Sequence, residues 1–154
     1  MKKYIILLSI IAGMFTSCIK DPPPFDAAQQ AADDDAAIQT FIKANNIPAI
    51  KHPSGLYYQI ITEGTGAYPT ATSAVTVNYT GRLLDGTIFD SGTGVTFPLS
   101  QVIPGWTYGI PLVNTGGRIL LLIPSALAYG NSSPGTDVPA NSVLIFTIDL
   151  LSIK

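Results

Sequence analysis

The chain offers little for conventional catalysis. Its one histidine, His52, stands beside Pro53 ahead of the first strand-like run, with no nucleophile or second metal ligand near it. It reads as a surface residue of a linker. There is no GxSxG elbow, no glycine-paired phosphate loop ahead of a helix, no HExxH and no CxxC. The adjacent carboxylates Asp33, Asp34 and Asp35 read as a solvated surface, and neither a metal nor an organic cofactor is expected. Chemistry performed here would use no nucleophile, metal or dedicated general base. What remains is a set of aromatics spread over separate short runs: Tyr79, Phe89, Phe97, Trp106, Tyr129 and Phe146. On composition alone, six such rings suit a core as well as a pocket.

Their neighbours shift the balance. The rings sit in the strings Val77-Asn78-Tyr79-Thr80-Gly81, Leu84-Asp85-Gly86-Thr87-Ile88-Phe89-Asp90-Ser91, Phe97-Pro98-Leu99, Gln101-Val102-Ile103-Pro104-Gly105-Trp106, Ile123-Pro124 followed by Leu127-Ala128-Tyr129-Gly130, and Val138-Pro139-Ala140-Asn141 running into Leu144-Ile145-Phe146. Each string alone is a weak signal. Six in this order and near this spacing resemble the signature of FKBP-type peptidyl-prolyl cis/trans isomerases, over roughly residues 54 to 154. The resemblance implies an α+β fold: a half-open, twisted antiparallel β-sheet of five to six strands wrapped around one short α-helix, here with an N-terminal helix appended. Residue by residue, it implies Trp106 as pocket floor, Tyr79, Phe89, Phe97, Val102, Ile103 and Phe146 as walls, and Val138 as rim. It also implies that the Ile103 N–H and the Tyr129 hydroxyl hold substrate carbonyls and that Asp90 is the acid beside the twisting bond. Proline-containing polypeptides are the implied substrates, and macrolide ligands a further class of occupant. A non-catalytic peptide-binding or chaperone module using the same pocket is the alternative.

An apolar slot suits that reaction. Rotation about an X-Pro bond starts from a planar, resonance-stabilised amide, with a barrier of about 18–20 kcal/mol, and uncatalysed it takes tens to hundreds of seconds. The twisted transition state loses resonance and is less polar at the amide. A dry aromatic cavity therefore favours it, while donors at the mouth orient the flanking peptide. About 4 kcal/mol of such preference corresponds to about 10³ in rate. Several positions depart from the family pattern. Ser91 to Thr96 reads as a shortened loop without an arginine, so Asp90 lacks the family's loop cation. Pro134 stands where a histidine is frequent. Tyr108, Pro111, Asn114, Thr115 and the run Gly116-Gly117-Arg118 are unusual choices that could loosen the site without removing the pocket.

The elements that must position these side chains are legible as periodicity. Leu56, Tyr58 and Ile60 share one face of a first strand; Val75, Val77 and Tyr79 share a face of a second, with Thr76, Asn78 and Thr80 opposite. Arg118 to Ile123 and Val143 to Leu151 read as further strands, the last with Leu144, Phe146, Ile148 and Leu150 alternating inward. Pro104 to Ile110 is a short helical stretch, ended by Gly109 and Pro111. Upstream, Asp26 to Asn46 predicts a longer helix. Asp26 caps it, Ile38, Phe41 and Ile42 give an apolar edge, and Asn45-Asn46-Ile47-Pro48 stops it. Its narrow apolar face predicts that it leans on the main domain.

With 154 residues, 47% of them apolar, the chain can close one core and carry one catalytic module. Charged residues make up 12% and the net charge is −2, so there is no basic stripe to neutralise phosphates, and nucleic acid is not an expected partner. Lys2 and Lys3 followed by the apolar run Tyr4 to Phe15 read as an export signal. The string Phe15-Thr16-Ser17-Cys18 resembles the lipobox of bacterial lipoproteins, which implies acylation of Cys18, the only cysteine. The expected division is a signal over 1–17, a lipid-anchored Pro-rich linker over 18–25, an accessory helix over 26–46 and an isomerase domain over 47–154. Several acyl chains would hold the protein lastingly on a membrane of the bacterial envelope, facing periplasm or cell surface. There it would act on exported polypeptides whose folding waits on proline isomerisation.

Overall fold

Six strands form one antiparallel sheet in a computed structural model that describes residues 25–154. They are β1 (Ile50–Lys51), β2 (Tyr57–Thr62), β3 (Ala74–Leu83), β4 (Ile88–Pro98), β5 (Arg118–Ile123) and β6 (Leu144–Ile153), in the spatial order β1-β2-β5-β6-β3-β4. Two helices accompany them, α1 (Ala27–Ala44) and α2 (Pro104–Gly109). The export signal, Cys18 and all but the last residue of the expected linker lie outside the described residues.

The strands follow from alternation, since successive side chains point to opposite faces. Val75 and Val77 of β3 and Leu144, Phe146, Ile148 and Leu150 of β6 are buried in one cluster with Trp106 and Ile110. The sheet wraps α2 on this face. Close approach there depends on two glycines one turn apart in α2. A Cβ at Gly109 would stand 2.6 Å from Leu121, and one at Gly105 closer still to Ile123, so only glycine lets the short helix settle onto β5.

The opposite face of β5 and β6 receives α1. Asp26 caps that helix by accepting the N–H groups of Ala28 and Gln29 at 2.9 and 3.1 Å. Ile38 is fully buried against Tyr57, Leu122, Val143 and Ile145. Burial on both faces explains why Arg118 to Ile123 is an almost unbroken apolar run instead of an alternating one.

Four expectations change. The triplet Asp33-Asp34-Asp35 is not a solvated surface as a unit, because consecutive helical residues point about 100° apart and only Asp33 faces solvent freely. Asp34 is 3% exposed, and Asp35 pairs with Lys51 at 2.6 Å and accepts the Tyr57 hydroxyl at 2.8 Å. Ser91 to Thr96 is not a loop but the middle of β4, where Val77 faces Val95 and Tyr79 faces Gly92. The register shift between those pairs is a bulge, pinned by the Gly94 N–H donating to Asn78 Oδ1 at 2.8 Å. His52 lies between β1 and β2, half-buried, its Nδ1 accepting the Ser54 N–H at 3.2 Å. It holds a turn within the sheet and does not belong to a linker ahead of it. Asn114, finally, fastens two connections: its amide donates to the Gly64 carbonyl at 2.7 Å and accepts the Gly64 N–H at 2.9 Å. That clamp ties the β2–β3 connection to the one between α2 and β5.

Candidate active pocket

A cavity of about 250 Å³ opens over α2, between the helix and residues of β3, β4 and β6. Trp106 closes its bottom, 4% exposed. The rings of Tyr79 and Phe146 lie 5.2 Å from the indole and that of Phe97 5.5 Å, at interplanar angles of 81°, 85° and 90°. Edge-to-face contacts of this kind hold aromatic rings in fixed mutual orientation. Glycine again permits the packing. Gly81 of β3 is paired with Phe146 across the sheet, and a Cβ there would stand 2.7 Å from both Phe146 and Phe89.

The polar mouth is built by loops that rigid elements terminate. Ile103 is the extended residue before α2, with Pro104 at the first helical position. The Ile103 carbonyl accepts the Trp106 N–H at 2.9 Å, while its own N–H has no acceptor among the described residues. Thr107 Oγ1 donates to the Leu99 carbonyl at 2.7 Å, which fixes the segment carrying Gln101 and Val102, both in the cavity wall. Tyr129 reaches the mouth from the turn after β5 and is 39% exposed.

Asp90 accepts the Tyr79 hydroxyl at 2.8 Å. Burial, then that bond, then the charge of Asp90 and the neighbouring Tyr129 push the Tyr79 phenol up to about 12. Burial, followed by the charge of Asp90, also pushes the Tyr129 phenol up. Both hydroxyls therefore keep their protons at physiological pH, that of Tyr79 donating to Asp90 and that of Tyr129 without an acceptor among the described residues. The Trp106 indole N–H is buried without a hydrogen-bond partner among the described residues. No cluster of three or more metal-ligating side chains occurs among them.

The expected residues thus come together, with two displaced and one added. Tyr79, Asp90, Phe97, Val102, Ile103, Trp106, Tyr129 and Phe146 line the one cavity. Phe89 stands behind Phe146, edge-to-face at 5.5 Å. With Val138 it lines an adjoining hollow of about 230 Å³ that shares Asp90 and Tyr129 with the first. Gln101 is the addition, and its position directly before Val102 in a signature string was the available signal.

Comparison with known proteins bears on the same segment. The family model for FKBP-type peptidyl-prolyl cis-trans isomerase matches residues 66–151. The chain is 52% identical over 105 residues to the FKBP-type peptidyl-prolyl cis-trans isomerase FkpA of Aeromonas hydrophila, covering 66% of this chain and 39% of that protein. It is 44% identical over 132 residues to the outer membrane protein MIP of Legionella longbeachae, covering 82% of this chain and 57% of that protein. The chain therefore spans little more than half the length, at most, of these two curated relatives. Among solved structures, FkpA from Escherichia coli matches with a TM-score of 0.71 at 38% identity, over 82% of this chain and 62% of that one. The isomerase from Pseudomonas syringae pv. tomato matches with a TM-score of 0.71 at 32% identity, over 86% of this chain and 99% of that one. With every pocket aromatic inside the matched segment and one solved relative covered almost end to end, the chain belongs to the family of FKBP-type peptidyl-prolyl cis-trans isomerases.

Proposed function

We propose that this chain isomerises X-Pro bonds of exported polypeptides by stabilising the twisted amide in its aromatic cavity. The observation that carries the reading is the indole floor of Trp106 ringed by three nearly perpendicular aromatics, beside two donors that no group of the described residues occupies. In this reading the prolyl ring sits on Trp106 between Tyr79, Phe97, Val102 and Phe146. The Ile103 N–H and the Tyr129 hydroxyl bind carbonyls on either side of the twisting bond. Asp90 holds Tyr79 in place and lends negative potential near the amide nitrogen as that atom loses resonance. Phe89 backs the wall and Val138 borders the outer hollow. No proton leaves or joins the protein.

A protease-coupled assay on an X-Pro peptide tests this. Acceleration proportional to protein concentration is expected, falling about tenfold in Tyr129→Phe, the scale of one lost hydrogen bond in the transition state. Peptide binding without acceleration would instead assign the pocket to a non-catalytic binding or chaperone module. Macrolide ligands are proposed to compete for the same cavity, and a macrolide that leaves the rate and peptide binding untouched rules that out.

We further infer that the chain is exported through residues 1–17 and anchored by acylation of Cys18, with 18–25 as spacer, 26–46 as accessory helix and 47–154 as isomerase domain. The basic residues ahead of an apolar run, the lipobox-like string and the name of the outer membrane relative support this. Cys18→Ser is expected to move the protein from the membrane fraction to the soluble one and abolish acyl-chain labelling. Unchanged fractionation would contradict it.

A further inference from the structure

We propose that Asp34, on the accessory helix, is a positioning residue for Tyr129, so that docking of α1 sets the geometry of the pocket mouth. The proposal rests on the isomerase reading and adds a residue to it. Asp34 is buried, 3% exposed, and has no cationic partner among the described residues. A lone carboxylate in such a place is costly unless hydrogen bonds compensate it. Here three do. Ser125 donates its N–H at 2.8 Å and its hydroxyl at 2.6 Å to one carboxylate oxygen, and Gln30 Nε2 donates to the other at 2.8 Å.

Ser125 faces two ways. Its donors go to α1, while its carbonyl accepts the N–H of Ala128 at 2.9 Å and of Gly130 at 2.8 Å. These two residues bracket Tyr129. Gly130, in the left-handed region at φ +59°, passes the constraint on, its carbonyl accepting the Asn141 N–H at 2.8 Å. The Tyr129 hydroxyl itself has no partner among the described residues. Its place at the mouth is therefore set by the backbone of this turn, and the turn is fastened from outside by Asp34. A side chain on the far side of the sheet from α2 thus bears on a donor of the pocket through one serine.

A double-mutant cycle on the full chain tests the coupling, with circular dichroism verifying that each variant is folded at assay temperature. Asp34→Ala is expected to lower kcat/KM about tenfold in the parent but less than about twofold in the Tyr129→Phe background, because its effect is routed through that hydroxyl. Asp34→Asn, which keeps an acceptor oxygen, is expected to recover most of the loss. Equal losses in both backgrounds, or no loss in either, overturn the proposal. Should Asp34→Ala not fold, Ser125→Ala removes only the hydroxyl bond and the same cycle is read with it. A readout independent of activity separates this idea from the isomerase reading. The Tyr129 ring resonances, assigned by their disappearance in Tyr129→Phe, are expected to shift in Asp34→Ala while those of Tyr68 and Tyr108 stay in place. Unmoved Tyr129 resonances overturn the positioning role even where the parent is active. Shifted ones uphold it even where the parent proves to bind peptide without isomerising it.

Discussion

At the scale of single residues, the pocket is a problem of ring packing, and a hydrogen atom at Gly81 is as much a part of it as the rings. Adding a methyl there would drive a carbon into Phe89 and Phe146 at 2.7 Å. Overpacking of this order costs about 1–3 kcal/mol, so Gly81→Ala should lower the thermal midpoint and weaken peptide binding together, as differential scanning fluorimetry and titration would record. The phenols make a second prediction. A raised phenol pKa keeps the neutral form to higher pH, so the Tyr79 and Tyr129 hydroxyls remain donors on both sides of neutrality. kcat/KM should be level from about pH 6 to 9, an interval below the ordinary tyrosine value of about 10. A bell-shaped profile with an apparent pKa inside that interval would point to proton transfer and contradict the mechanism. Most of these residues were legible in the strings that carry them, Trp106 after Ile103-Pro104-Gly105 above all. The place of Phe89 behind Phe146 was not, because which side of a ring faces the void depends on packing from β6, far away in sequence.

At the scale of elements, amphipathic alternation carried the reading of β2, β3 and β6, and the cap at Asp26 carried that of α1. Glycine misled it in β4. Ser91-Gly92-Thr93-Gly94 has the composition of a turn, yet a bulge absorbs the extra residues and the strand continues to Pro98. The acidic triplet misled it in α1, where identical side chains meet three different surroundings. Asn114 shows the same limit from the other side. An unusual residue between α2 and β5 looked like loosening and is a two-bond clamp on Gly64. Its replacement, Asn114→Ala, leaves the Gly64 N–H and carbonyl without that partner. At about 0.5–1.5 kcal/mol for each hydrogen bond lost at this half-buried site, chemical denaturation should show a lower midpoint with an unchanged slope. The pocket residues lie on the other elements, so the folded variant should keep its peptide affinity within about twofold.

At the scale of the whole molecule, one sheet carries a helix on each face, and each does a different job. The short helix α2 offers Trp106 to the cavity, and α1 covers the back of β5 and β6. Strand order of the β1-β2-β5-β6-β3-β4 kind is not written in local periodicity, since antiparallel pairing of β3 with β6 joins residues some seventy positions apart. The resemblance of ordered strings implied the antiparallel sheet and its wrapped helix, but not the order of the strands. What the architecture provides is a largely apolar, partly enclosed slot with donors at one edge, and the proposed activity depends on that slot lowering the cost of twisting a prolyl amide. Exchange spectroscopy on one X-Pro peptide measures this most directly, because binding and cis/trans interconversion are read in the same sample. Exchange cross-peaks between the cis and trans prolyl signals are expected to grow with protein concentration and to fade in Phe97→Ala, where water enters the slot. Saturable binding with interconversion still at the uncatalysed tens to hundreds of seconds would contradict the proposed activity.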